Sequence, residues 1–412
     1  MPLVFKNTRG IFFVLFFEFV FSQQIKIGAE VFLEKKNDLI KNKKIALVCN
    51  SASFVSSYKK NIYQIFLEKK TDIEFILTPE HGFNLQFVAG EKFENQIDST
   101  TKIPIISLYG NNFSSLKKNI EKIDVVIFDL QDVGSRYFTF ISTMKNVMEI
   151  CCELNKTFIV LDRPNPLGLE IVEGFMLEDS LKSFIGTFEI PIRHGLTVGE
   201  IANMVVEKKI ISNSQKLNLI VIQCENLKRN FIWNELNLIW KPPSPNMISD
   251  TTAFVYNGTC LFEGTNISEG RGTKFPFQII GAKWIDGKKL LNELSKYNLD
   301  GVKFSEIKFL PISNEKSKHP KYENENCEGI FLEITNFKKF ESIKTTIAIL
   351  CAIQNFFPND LKFDENFFDK LAGTKKLREA ILSNDNFEKI CLIWQNDCQK
   401  FLSQRKRFLI YE

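Results

Sequence analysis

Residues 124–136 read Asp-Val-Val-Ile-Phe-Asp-Leu-Gln-Asp-Val-Gly-Ser-Arg. A short apolar run gives way at once to acids, an amide, a glycine and an arginine. A strand with one face in water alternates apolar and polar residues. A continuously apolar one is buried on both faces, as in a parallel sheet. The same shape recurs at 44–49 (Lys-Ile-Ala-Leu-Val-Cys), 73–77 (Ile-Glu-Phe-Ile-Leu), 103–108, 158–161 (Phe-Ile-Val-Leu) and 218–222. Helical spacing falls between these runs, at 58–70, 115–122 and 141–154. Thr197 with Glu200 three residues on marks the capped start of another helix. Alternation of this kind predicts an α/β domain, a parallel sheet covered by helices on both faces.

After the rigid break Pro242-Pro243-Ser244-Pro245-Asn246 the character changes. Strand-like runs at 302–309 and 329–334 mix with helical stretches at 288–296, 341–356, 376–383 and 386–402. The expected division is a catalytic domain over 24–246 and a smaller α+β domain over 247–412.

Composition narrows the function. The 412 residues carry 53 Lys and Arg against 49 Asp and Glu, a surplus of +4. So small an excess over this length gives no case for nucleic acid or an anionic membrane as partner. Three histidines, none in metal-binding spacing, argue against a site built of imidazoles. Nine cysteines without a CxxC argue against a zinc ribbon or a redox pair, and small apolar core fillers is the plainer reading. Residues 1–23 have the form of a signal peptide: basic Lys6 and Arg9, an apolar stretch from Ile11 to Phe21 interrupted by Glu18, then polar Ser22-Gln23-Gln24. Eleven positions cannot span a bilayer. The expectation is cleavage near 22–24 and a periplasmic or secreted protein without further membrane contact; its oligomeric state is not written in the sequence.

The polar clusters follow the strands. Glu80 and His81 come after 73–77, Asp129, Asp132 and Arg136 after 124–128, and Asp162, Arg163 and Asn165 after 158–161. Parallel strands end on one edge, where open α/β folds bind ligands. Further along, Glu173, the Arg193-His194-Gly195 stretch and the segment Glu263-Gly264-Thr265-Asn266-Ile267-Ser268-Glu269-Gly270-Arg271-Gly272-Thr273 add charge and flexible backbone. Neither GxxxxGK[ST] nor GxGxxG after the first strand is present, so a nucleotide loop finds no support. Carboxylates gathered with arginines suit acid–base chemistry on an anionic substrate.

Thr78-Pro79-Glu80-His81-Gly82, Phe128 to Arg136, Leu161-Asp162-Arg163-Pro164-Asn165-Pro166, Pro243-Ser244-Pro245-Asn246 and Glu263 to Thr273 resemble, in order, the signature blocks of the exo-β-N-acetylmuramidases, a family of peptidoglycan glycoside hydrolases. The resemblance implies a Rossmann-like first domain, a smaller second one and an active-site cleft between them. It implies release of N-acetylmuramic acid from non-reducing ends of peptidoglycan-derived muramyl saccharides, with no cofactor or metal. The catalytic candidates are then Glu80, carried over from the Pro-Glu-His-Gly block, with His81, Asp129, Asp132 and Glu269. Arg136, Arg163 and Arg271 are candidates for the lactyl carboxylate of muramic acid. Asp162, Asn165, Glu173, His194, Ser244, Asn246, Glu263 and Asn266 complete the expected sugar contacts. Two rival readings remain: a phosphoesterase holding Mg²⁺ on Asp129, Asp132 and Asp162, and a glycan-binding protein without turnover.

Overall fold

The computed structural model describes residues 24–110 and 113–412. The leader-like segment 1–23 lies outside the described residues. Among the described residues, nine strands belong to the first half: β1 (Ile45–Val48), the small hairpin β2 (Phe54–Val55) and β3 (Lys60–Asn61), β4 (Ile73–Thr78), β5 (Gln96–Ile97), β6 (Pro104–Ser107), β7 (Val125–Phe128), β8 (Thr157–Leu161) and β9 (Asn218–Ile222). Seven of them form one sheet in the order β5-β6-β4-β1-β7-β8-β9. All neighbours are parallel except the short edge pair β5 and β6.

Successive side chains of these strands enter opposite layers, as the two-residue period requires. Val126, Phe128, Phe158 and Val160 join the core that contains helix Phe140–Glu153. Val125, Ile127, Ile159 and Leu161 join the core under helix Ile62–Glu68. The capped helix is present at Val198–Glu207: Glu200 N–H donates to the Thr197 hydroxyl oxygen and Thr197 N–H to Glu200 Oε2, both at 3.2 Å. A cap of this type stabilises a helix by about 1 kcal/mol.

The second half adds β10 (Ile279–Ala282), β11 (Val302–Phe309) and β12 (Cys327–Ile334), an antiparallel sheet in the order β10-β12-β11. Helix Gly287–Leu294 packs on this sheet and helix Ser342–Phe356 against that helix and Asp250–Thr259; Ile347, Ile349 and Ile353 belong to the same continuous core as Phe128 and Phe158. The halves therefore share one apolar interior. Helix Asp250–Thr259 and strand β10 carry no strong periodic signal, and neither they nor the amphipathic helix Glu365–Ala372 were expected from the sequence. The stretch 386–402 divides into two helices, Phe387–Ile393 and Gln395–Gln404, at Trp394, whose ring packs 5.0 Å from that of Phe175. All nine cysteines are free and buried, as core fillers should be.

The chain runs from β1 through β4 to β6 on one side of the sheet, then restarts at β7 on the other. The crevice of an open α/β fold lies at that reversal, between the carboxyl ends of β1 and β7. Here it is sealed. Asn50, just beyond β1, donates from Nδ2 to the Pro243 carbonyl at 3.2 Å, and Ser53 donates its hydroxyl to the Asp129 carbonyl. The proline-rich segment thus crosses the switch point, and the open cleft is displaced toward the end of β4.

Candidate active site

Strand β4 ends at Thr78, and residues 79–82 close a tight turn in which Gly82 N–H donates to Pro79 O at 3.2 Å. His81 and Gly82 both have left-handed backbone, φ 77 and 75. A Cβ at Gly82 would stand 2.9 Å from the Phe87 ring, so only glycine fits. A bulky residue in that conformation needs support. For His81 it comes from Phe87, whose N–H donates to the His81 carbonyl at 3.3 Å while His81 Nδ1 lies 3.0 Å from the Phe87 carbonyl oxygen. A carbonyl can only accept, so Nδ1 carries the proton and Nε2 keeps its lone pair. Burial pulls the His81 pKa below the usual histidine value, outweighing the Glu80 charge, and Arg271 pushes the same way. The imidazole is neutral.

Beside it, Glu80 Oε1 accepts from Gly90 N–H at 2.8 Å and Oε2 from the Thr139 hydroxyl at 2.9 Å. Neither partner is charged. Glu80 is 8% exposed and faces a cavity of ≈ 330 Å³, within the range of small-molecule sites. Tyr109, Tyr137, Ser244, Asn246, Glu263 and Arg271 line the same cavity. Burial, then the Glu80 charge, raises the Tyr109 pKa, which leaves its phenol a proton donor.

The wall from the second half is built on charge. Arg271 donates from one terminal nitrogen to Glu263 at 2.7 Å, stands 3.3 Å from Glu269 through Nε, and lies 4.9 Å from the centroid of the Phe277 ring. Burial opposes its charge, but Glu263 and Glu269 outweigh burial and raise its pKa. Burial likewise pushes the Glu269 carboxyl up, yet Lys321 and Arg271 together bring it below the usual range. Lys321 does more than pair with Glu269 at 3.2 Å. Its ammonium also donates to the carbonyls of Phe262, Glu263 and Ile267 at 2.7, 3.3 and 3.0 Å, as a bound cation would. The glycines of this segment serve close packing, not anion binding: a Cβ at Gly264 would fall 2.6 Å from Phe368 Cα, and one at Gly272 2.7 Å from Pro320.

Of the residues singled out in the sequence, Glu80, His81, Ser244, Asn246, Glu263 and Arg271 line the cavity. The others do not, and each has a structural employment. Asp129 receives a two-pronged bond from Arg163, 2.6 and 2.9 Å, beneath the sealed switch point. Asp162 accepts from the hydroxyls of Thr197 and Tyr411 and from Gly199 N–H. Asp132 caps Gly134 N–H at 2.7 Å, and burial lifts its pKa to about 7. His194 receives Leu196 N–H on Nδ1, stands 3.8 Å from Asp132, and is driven by burial to a pKa of about 3. Arg136 spends its fork on the carbonyls of Phe175, Ile190 and Leu371. Glu173 accepts from Lys344 N–H at 2.7 Å with a pKa raised by burial to about 7. Asn165 bridges Leu167 and Leu196, Asn266 bridges Asp360 and Lys362, and Glu269 lies behind Arg271. The expectation that Arg136 and Arg163 meet substrate is corrected: both guanidinium groups are buried off the cavity wall, with the terminal nitrogens of Arg136 on three carbonyls and Arg163 on Asp129 and the Phe54 carbonyl. The three aspartates of the phosphoesterase reading are each committed to separate partners. Among the described residues no group of three or more His, Cys, Asp or Glu is placed to hold a metal ion.

Several polar groups of the cavity wall escaped the sequence, among them Tyr109, Tyr137, Thr139 and the Gly90 N–H. Tyr109 follows β6 directly, so its strand-end position was a usable signal. Thr139 and Gly90 gave none, because a hydroxyl and a glycine N–H become functional only by where the chain folds.

A buried carboxylate with uncharged donors, in a sugar-sized cleft with a second carboxylate and an arginine, fits a glycoside hydrolase. Residues 45–251 match the family model of the exo-β-N-acetylmuramidase NamZ N-terminal region, and residues 254–411 match that of its C-terminal region. The chain belongs to this exo-β-N-acetylmuramidase family and is a glycoside hydrolase. It is 35% identical, over 94% of its length and 92% of the relative's, to the peptidoglycan β-N-acetylmuramidase NamZ of Bacillus subtilis (strain 168). Two crystal structures of DUF1343 family proteins from Bacteroides fragilis NCTC 9343 are similar over 94% of this chain and 99% of theirs. Their TM-scores are 0.85 and 0.74, at 29% and 31% identity.

Proposed function

We propose that this enzyme removes terminal N-acetylmuramic acid from the non-reducing ends of peptidoglycan-derived glycans, with Glu80 as the proton donor to the departing oxygen. The observation that carries the assignment is the setting of Glu80, a cavity-lining carboxyl hydrogen-bonded by Gly90 and Thr139 and by no cation. A general acid must be able to carry a proton and give it up, and a guanidinium partner would oppose that. Asp129, Asp132, Glu173 and Glu269 lie off the cavity wall, which leaves Glu263 as the second carboxylate available to the oxocarbenium-like carbon. Arg271, the arginine that does line the cavity, is the group suited to the lactyl carboxylate.

The expected outcome is release of 4-nitrophenol from the β-N-acetylmuramide and little from the β-N-acetylglucosaminide. Equal rates on the two compounds would remove the muramic-acid assignment and leave a general hexosaminidase. The signal-like first 23 residues support a periplasmic or secreted location, and among the described residues no helix is long and apolar enough to cross a membrane. Sequencing the N-terminus of the protein from its native host should find the chain beginning near residue 24; an intact Met1 would contradict export.

A further inference from the structure

A second cavity, ≈ 390 Å³, adjoins the first. Asn246 lines both, and two chain segments pass from one to the other. Met247 and Arg271 face the Glu80 cavity, while Ile248, Thr273, Lys274 and Pro276 face the second. Neighbouring residues along a chain are 3.8 Å apart, so three residues bound the step between cavities at roughly 11 Å.

The far side is the turn 314–317. It is fixed: Lys316 N–H and Ser317 N–H both donate to Asn314 Oδ1, at 2.9 and 3.0 Å. Asn246 bolts the turn down, donating from Nδ2 to the Lys316 carbonyl at 2.7 Å and accepting the Ser317 hydroxyl at 3.0 Å. Lys274 is presented by a second tight turn, in which Thr273 N–H and hydroxyl both donate to the Gly270 carbonyl. Lys274, Lys316 and Glu315 all line the cavity, which gives it a net charge of +1. Among the described residues neither lysine has an ion-pair partner, whereas Lys318 pairs with Glu91 at 3.0 Å and Lys283 with Glu325 at 2.8 Å.

Resting on the muramidase reading above, we infer that this second cavity receives the glycan on the leaving side of the scissile bond, and that Lys274 and Lys316 read a carboxylate on it. In a strand of alternating N-acetylglucosamine and N-acetylmuramic acid, the first sugar beyond the bond is neutral and the second carries a lactyl carboxylate. The cation pair therefore lies where the second leaving-side unit would bring its charge, and Asn246 forms the shared threshold. The site makes the enzyme prefer glycans longer than a disaccharide.

Two trisaccharides isolate that charge: MurNAc–GlcNAc–MurNAc and MurNAc–GlcNAc–GlcNAc differ in the third sugar's lactyl group. At low salt the full-length enzyme should show a kcat/KM about three- to ten-fold higher on the first, the size of two exposed charge–charge contacts. The double variant Lys274→Gln/Lys316→Gln should erase that ratio and leave the disaccharide MurNAc–GlcNAc at its parental rate. Equal treatment of the trisaccharides by the parent enzyme, or a double variant that slows all three substrates alike, would overturn the assignment. Failure to cleave even the disaccharide would instead overturn the hydrolase reading on which it rests.

Discussion

The carboxyl ends of β4 and β7 are two positions apart on one edge of one sheet, and each delivers an acid to it, Glu80 and Asp129. In sequence the two are equivalent, each set just past an apolar strand and followed by a glycine-containing turn. In the molecule they are opposites. Asp129 is fully buried, its carbonyl bonded by the Ser53 hydroxyl and both side-chain oxygens held in the fork of Arg163. Glu80 opens on a cavity and is steadied by an amide and a hydroxyl. A carboxylate matched by a guanidinium fork is a fastening; one matched by neutral donors keeps the capacity to exchange a proton. The difference is made by what crosses each strand end, not by the strand end itself.

Substitution should separate the two roles, and the largest effect is expected at Glu80. Glu80→Gln keeps the shape and loses the transferable proton, so turnover of a natural disaccharide should fall about 10²–10⁴-fold with an unchanged urea midpoint. The loss should be smaller on a nitrophenyl substrate, whose leaving group departs without protonation. Near-parental turnover of the disaccharide would break the contrast. Asp129→Ala should do the reverse, leaving Arg163 buried and unpaired at a cost of about 3–5 kcal/mol in urea unfolding. A variant of full stability and no activity would return Asp129 to the site.

A third contrast is with carboxyls that are buried and have no cation in hydrogen-bonding reach. Glu173 has a pKa near 7 in the fold against an ordinary 4.5, raised chiefly by burial, and Asp132 behaves alike. A folded state that holds protons the unfolded chain has released is stabilised by acid. This contribution is complete below the unfolded pKa, declines as pH rises from about 4.5 to 7, and is gone above that. His194, depressed to about 3, works in the opposite sense between 3 and 6.5, but it is common to parent and variant. Glu173→Gln should therefore lose less stability than the parent between pH 5 and pH 8, by roughly 2–3 kcal/mol at most. Parallel curves in urea unfolding would mean Glu173 does not titrate in that window.

Much of the fold was legible because parallel strands write themselves as unbroken apolar runs. Val125 to Phe128 and Phe158 to Leu161 could hardly be anything else, and Thr197 with Glu200 announced their helix. Strand β10 and helix Asp250–Thr259 were not legible, since both are buried on every side and lack the contrast between faces that periodicity needs. The site was half legible. Strand-end logic found Glu80 and His81, and the dense segment 263–273 contained Glu263 and Arg271. It also promoted Asp129, Asp162 and Arg163, because the sequence does not say that residues 242–246 return to close the switch point. Likewise nothing local marks Arg136 as a fastener of three carbonyls drawn from both halves.

Tyr411 donates its hydroxyl to Asp162 at 2.6 Å, and Ile410 N–H donates to Glu200 at 2.9 Å, so the acceptors of the first half are satisfied by residues made 249 and 210 positions later. At 5–20 residues per second the wait for Tyr411 is roughly 10–50 s of ribosome time. Until then Asp162 and Glu200 each lack a native hydrogen-bond partner, so a chain cut short of Ile410 would leave two buried carboxyls of the first half under-satisfied.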